Sequence, residues 1–407
     1  MRTKLIACVV ALLFVVVFSP TANQPSAQQA APTSIKIGYA ISITGPYAPG
    51  AGHTSIQNYK LWIKDVNDTG GIYLSKYKKK VPLEVIEYDD RSEIDNMVRL
   101  VERLILNDKV DFLLPPWGTA MHLAAAPIFN KYGYPHLAIT AAAMKIKEFA
   151  PRWPNSFWFL CAPDDCVRPL VDISKDLKAK GKLGGKVAII HIADQLGIEL
   201  ASAAADFYPK AGFEVVYNKS YPLGVADLSP QLREIMRLNP DVFFAASYPG
   251  DTFMIIDQSQ VLGFNPSIFY TAVGPGFAPF KGKFGAKAEG IMGFGGWVPS
   301  TPGAKEYLQR HVALNKMEVD RAGGVSTYAS LQILQQAIEK VGDIDRKAVV
   351  ATIARDTFQT VHGPIRFENQ RWVQSWVMGQ WQHGEYVGVG PAEKPGAQPI
   401  LFPKPRW

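Results

Sequence analysis

Few residues in this 407-residue chain combine types and spacings that could do chemistry, and most fail the test their chemistry sets. A metal centre needs several His, Cys, Asp or Glu ligands that converge. The seven histidines (His53, His122, His136, His191, His311, His362 and His383) show no His-Glu-x-x-His or other paired helical spacing. A Ser/His/Asp hydrolase would carry its nucleophile on a Gly-x-Ser-x-Gly elbow, and the chain has none. A dinucleotide site needs Gly-x-Gly-x-x-Gly at the first strand-to-helix turn, where Thr44-Gly45-Pro46-Tyr47-Ala48-Pro49-Gly50 stands instead. The glycines at 181, 184 and 185 precede an expected strand, so they cannot be that loop. No enzyme, metal or cofactor is expected. Cys161 and Cys166, spaced Cys-Ala-Pro-Asp-Asp-Cys, form a disulfide candidate if the backbone turns at Pro163.

The elements that must position any binding site begin after an export signal. Arg2 and Lys4 precede an apolar run at 5–18 and a Ser/Thr/Pro/Ala/Gln-rich stretch at 19–32, the build of a secretory signal peptide over 1–31 that is cut between Ala22 and Ala31. The run is shorter than the roughly twenty residues that span a bilayer. Leu5-Ile6-Ala7-Cys8 imitates a lipoprotein box, but it lies before the apolar core rather than after it. The mature chain is expected in the periplasm. About 375 residues then remain, enough for two domains with a sizeable core in each. The formal charge of +7 includes Arg2 and Lys4, and the lysines at 76 and 78–80 read as a solvated loop. No Arg-rich stripe with interleaved aromatics is present, so no nucleic-acid partner is expected.

Short aliphatic runs alternate with longer helix-like stretches, the pattern of parallel βαβ units. Strands are expected at 35–41, 81–87, 110–114 and 136–139, with helices at 53–66, 94–106 and 121–132 between them. The alternation restarts with strands at 186–191, 213–218, 241–246 and 267–271 and helices at 197–208, 229–238 and 252–262. Two doubly wound α/β lobes follow from this. The last third differs, with helices at 303–314, 326–341 and 346–355 and a strand-rich end at 364–389, as expected if the lobes exchange elements. The proline-rich stretch at 391–407 is expected to be irregular, wrapping the surface or disordered.

Thr44-Gly45-Pro46, Asp68-Thr69-Gly70-Gly71-Ile72 and Tyr88-Asp89-Asp90 follow the first strand, first helix and second strand. With Gly118-Thr119, His122 to Pro127, Tyr132-Gly133-Tyr134-Pro135, Ser326-Thr327-Tyr328-Ala329 and Val361-His362-Gly363-Pro364, they form an ordered series. In that series the chain resembles the type I periplasmic binding proteins of ABC importers, in particular the branched-chain amino-acid (Leu/Ile/Val) binding group. The resemblance implies a Venus-flytrap fold of two lobes joined by three crossovers, placed near 157–161, 295–298 and 370–375. The lobes would comprise 32–160 with 297–372 and 161–296 with 373–390. It also implies a monomer that captures a small carboxylate and delivers it to an inner-membrane ABC permease, or alternatively to a chemosensory receptor.

In such proteins a hydroxyl after the third strand and backbone groups after the fourth hold the ligand carboxylate, positions that fall here on Thr119 and on Thr140 to Ala142. The alternative reading of both threonines is as helix caps. The groups that would neutralise an α-ammonium fall on Val273, Leu196 and Tyr248, of which only the tyrosine is polar. Burying an unpaired ammonium is costly. The expected ligand therefore lacks an α-amino group, with an aromatic acid first and a 2-oxo or short branched acid behind it. Trp117, Phe277 and Trp297 are candidate flat walls, and a shift in alignment near Val273 would bring in Asp251 and restore an amino-acid or amide ligand.

Overall fold

The computed structural model describes residues 30–143, 145–159, 162–296, 301–372 and 378–407. Its first sheet centres on the strand Ile35–Ile41, flanked in parallel by Leu83–Asp89 and Phe112–Leu113. Six of the seven residues in Ile35–Ile41 are buried, as a strand covered on both faces requires. The helix Ile94–Leu106 packs Met97, Val101 and Leu104 inward at helical spacing. It comes so close that a Cβ on Gly38 would meet Leu104 and Val110 at 2.9 Å. The next strand, His136–Ala138, pairs in parallel with Ser156–Trp158.

The second sheet has seven strands in the order Glu385–Gly390, Met378–Gln382, Ile291–Phe294, Ile268–Thr271, Val242–Ala246, Lys186–Ile192 and Glu214–Tyr221. Its five inner and far-edge strands run parallel, and the terminal hairpin is added antiparallel. The last third of the chain thus divides between the layers. Its last two strands extend the second sheet and Phe358–Thr360 pairs with Gly363–Ile365, while Pro302–Asn315 and Gly324–Val341 dock on the helix Gln57–Asp68. There Tyr307 Oη donates to Asn58 Oδ1 (2.7 Å), Trp62 Nε1 to Gln335 Oε1 (3.2 Å) and Tyr328 Oη to Asp65 Oδ2 (2.6 Å). Segments leading between the sheets run side by side, with Trp158 N donating to Gln370 O (2.8 Å) and Trp372 N to Trp158 O (3.0 Å).

Several expectations are revised. The helix expected at 53–66 begins as a π-helical turn, Ala51–Ile56, before Gln57–Asp68. The strand expected at 81–87 is Leu83–Asp89, because Lys79–Val81 forms a hairpin with Ile72–Leu74 instead. Elements not anticipated include the hairpin of Ile72–Leu74 with Lys79–Val81, the strands Ser156–Trp158 and Ile291–Phe294, the helix Ala278–Phe284 and the 17-residue helix Pro163–Ala179. Cys166 sits in that helix's first turn and is disulfide-bonded, while its expected partner Cys161 lies outside the described residues. The tail is irregular yet docked: Gln398 N donates to Gly388 O, Lys404 N to Ser267 O and Trp407 Nε1 to Phe264 O. Lys404 is buried there beneath the Trp407 ring, and burial pulls its pKa down to about 7. Residues 1–29, which fall within the expected signal peptide at 1–31, and Trp297 lie outside the described residues. Among those described, no helix is long and apolar enough to cross a membrane.

Candidate functional site

Loops at the carboxyl ends of the strands bring two surfaces face to face, as open α/β sheets place their ligand crevices. From the first sheet come Tyr47 and Trp117, and from the end of His136–Ala138 comes Thr140; from the second sheet come Asp194, Leu196, Tyr248 and Val273. Trp117, Thr140, Leu196, Tyr248 and Val273 line one small cavity of about 40 Å³, together with Thr54, Phe294, Asp320, Ala322 and Gly323. Thr119 and Ala142 do not line it. They bond to each other, Ala142 N donating to Thr119 Oγ1 (3.1 Å), which ties the start of the helix Thr119–Tyr132 to the loop after His136–Ala138. Phe277 packs instead on His53, ring centres 5.2 Å apart.

Gly118 precedes that helix with φ 103°, a backbone only glycine adopts readily, and the Tyr248 hydroxyl lies beside it. Trp117 lies flat against Gly50, where any Cβ would enter its six-membered ring. The rings of Tyr47, Trp117 and Tyr248 cluster with centres 5.1–6.0 Å apart. Trp117 is 2 % exposed, and its Nε1–H has no hydrogen-bond partner among the described residues. A buried donor without an acceptor costs free energy, so it marks where a ligand oxygen would be welcome.

Sequence reasoning missed the central ionic group. Asp194 caps the helix Gln195–Lys210 by accepting from Leu196 N (3.1 Å), and it also accepts from Tyr248 Oη (2.9 Å) and from Tyr47 Oη across the cleft (2.6 Å). The second-lobe wall is therefore not purely apolar as expected. Its carboxylate, however, is engaged by three donors, and Asp320 accepts likewise from Thr54 Oγ1, Ala322 N and Gly323 N. Tyr47 stood in the Thr44 to Gly50 loop, but nothing in the sequence pairs it with a residue 147 positions away. Burial first, and then Asp194, push the Tyr47 hydroxyl pKa far up, so it stays a donor.

This clasp makes a prediction. Tyr47→Phe removes a bond to a charged acceptor, worth about 1.5–3 kcal/mol, from the closed arrangement alone. Small-angle scattering of the ligand-free variant should show a larger radius of gyration than the parent; equal radii would deny the clasp any part in closure.

Asp90 gives a pH prediction. It accepts from Ser42 Oγ (2.6 Å) and Ser92 N (2.7 Å) at Oδ1, while the buried Oδ2 has no partner among the described residues. Burial raises its pKa to about 6. The folded protein therefore holds this proton up to about pH 6 and the unfolded chain only to about 3.8, so the stability it contributes is present in acid and lost as pH rises through 6. Asp90→Asn should melt higher than the parent at pH 7.5, by on the order of 2 kcal/mol, and no higher at pH 4.5. An equal gain at both values would contradict the assignment.

Residues 34–385 match the family model for periplasmic binding proteins. The chain belongs to the periplasmic binding protein family. Members are solute-binding proteins, not enzymes. Over 384 residues the chain is 24 % identical to Leu/Ile/Val-binding protein homolog 7 of Brucella abortus (strain 2308), covering 89 % of this chain and 93 % of that protein. Its fold resembles that of an ABC-transporter solute-binding protein from R. palustris in complex with benzoate, with TM-score 0.75, 22 % identity and coverage of 90 % of this chain and 99 % of the other. It resembles equally a branched-chain amino-acid transporter substrate-binding protein from Streptococcus pneumoniae in complex with isoleucine, with TM-score 0.75, 20 % identity and coverage of 88 % and 100 %. Among the described residues no group of His, Cys, Asp and Glu is placed to hold a metal ion.

Proposed function

We propose that this periplasmic binding protein is an exported, monomeric solute receptor of an ABC importer and that its ligand is a small aromatic carboxylate lacking an α-amino group. The lobes would be 32–160 with 297–372 and 161–296 with 373–390, and the partner an inner-membrane permease. One observation carries the ligand class. Trp117, which lines the cavity with Leu196, Tyr248, Val273 and Phe294, carries an unpartnered Nε1–H donor, while Asp320 in the lining and Asp194, bonded to Tyr248, already accept several hydrogen bonds each. A ligand oxygen gains a partner in such a site. An ammonium would have to share carboxylates that already accept three bonds each, and the burial of a charge without a dedicated partner costs several kcal/mol. Aromatic rings suit walls made of Trp, Tyr and Phe, which favour offset and edge-on contacts. The benzoate bound by the R. palustris protein supports the reading; the isoleucine bound by the pneumococcal protein is the competing one.

A thermal-shift screen of the mature protein against benzoates, 2-oxo acids, branched-chain amino acids and amides tests it. Ligand that binds only the folded state raises melting by mass action, about 2.7 kcal/mol at a hundredfold excess over Kd. Stabilisation by aromatic acids is expected. Stabilisation by leucine, isoleucine or valine alone would replace this reading with an amino-acid receptor.

A further inference from the structure

Behind the cavity wall formed by Thr140 lies a buried row of side chains. His122 Nε2 is 3.0 Å from Thr140 Oγ1 and accepts from Thr140 N at 3.2 Å. His122 Nδ1 is 3.0 Å from His136 Nε2, and His136 Nδ1 is 3.0 Å from Ser156 Oγ. His122, His136 and Ser156 are fully buried. Ser156 in turn adjoins the segment between the sheets, since its carbonyl accepts from Gln370 Nε2 (2.8 Å).

The protons in this row follow from one fixed donor. The Thr140 backbone N–H points at His122 Nε2, so that nitrogen carries no hydrogen and a neutral ring must be protonated at Nδ1. Nδ1–H then donates to His136 Nε2, which leaves His136 protonated at Nδ1 and donating to Ser156 Oγ. Burial keeps both rings neutral, holding His136 down at about 3. At the other end Thr140 Oγ1 lies 3.0 Å from the same unprotonated Nε2, whose one lone pair the hydroxyl hydrogen shares with the backbone N–H. Gly118 N–H takes one lone pair of that oxygen at 2.9 Å. A single lone pair remains.

We propose that His122 and His136 act as positioning residues that fix Thr140 as an acceptor-only group, so that the site selects ligands presenting a neutral hydroxyl donor to Thr140 and rejects a carboxylate there. A threonine without this backing would rotate to donate or accept as the ligand required. This role differs from the expected one, in which Thr140 grips the carboxylate, and it leaves Trp117 Nε1–H as the donor for that group. It rests on the aromatic-acid reading only for the choice of probe. A hydroxylated aromatic acid is then favoured over the bare ring.

Two measurements test it. Nitrogen-15 NMR of the imidazoles in the full mature protein, assigned with single histidine variants, should show His122 and His136 neutral and protonated at Nδ1 between pH 5 and 8. Titration calorimetry should show one hydroxybenzoate binding at least tenfold more tightly than benzoate and than its own methyl ether. Thr140→Val should erase that margin and Thr140→Ser should keep it. An Nε2–H on His122, a methyl ether that binds as well as its phenol, or a margin that survives Thr140→Val would each overturn the proposal. If no aromatic acid binds, the ligand class falls, while the tautomer measurement, which needs no ligand, still decides the relay.

Discussion

Trp117→Ala is expected to abolish ligand binding and to lower stability by about 3–5 kcal/mol, the usual loss when a buried aromatic is truncated. The indole fills the space between Gly50, Tyr47 and Tyr248 and forms a wall of the cavity. Its removal takes away a packing partner of both clasp tyrosines as well as a ligand contact. Trp117→Phe separates these roles. It keeps most of the wall and deletes the Nε1–H, so affinity for the acid should fall by about 1–3 kcal/mol while melting changes less than in the alanine variant. Calorimetry and thermal denaturation read the two effects independently. Unchanged affinity in Trp117→Phe would remove the indole N–H from the site.

The second large effect lies one layer out. Gly197 is buried in the first turn of Gln195–Lys210, and a Cβ there would run into the carbonyl oxygen of Ile192, on the strand that feeds the same loop. Backbone cannot swing aside as a side-chain tip can. Gly197→Ala must therefore push the helix off the strand, costing about 3 kcal/mol. The helix carries Leu196 into the cavity and is capped by Asp194, so binding should weaken together with stability. A variant with parental melting and parental affinity would show that the helix can shift freely, against the close packing described.

What the sequence revealed follows from the range over which its signals act. The strand Ile35–Ile41 and the helices Ile94–Leu106, Ser229–Leu238 and Arg346–Arg355 lie where their periodicity put them, because one face or both faces of each meet a core. Pro163–Ala179 escaped notice because Pro163 between the two cysteines read as a turn. Pro163 sits at the helix start, where no N–H is needed, and Pro169 is accommodated inside it. Ser156–Trp158 is too short to show alternation. At the site, Trp117, Thr140, Leu196, Tyr248 and Val273 meet around one cavity, since loops at equivalent strand ends converge by topology. The Tyr47–Asp194 bond and the His122–His136 pair were not legible, for each joins residues that only the packed lobes or a helix-on-strand contact bring together. Thr119 looked free to grip a ligand because the sequence does not display the Ala142 amide that it accepts from.

The central claim is that the cleft takes a carboxylate and has no place for an α-ammonium. Its most direct test is titration calorimetry of the mature protein with phenylpyruvate and phenylalanine, two acids of one skeleton that differ at the 2-position, alongside benzoates and isoleucine. An aromatic or 2-oxo acid should bind at least tenfold more tightly than the amino acid, about 1.4 kcal/mol, because the amino group would be buried beside carboxylates already occupied. Micromolar binding of isoleucine with no binding of the aromatic acids would contradict it.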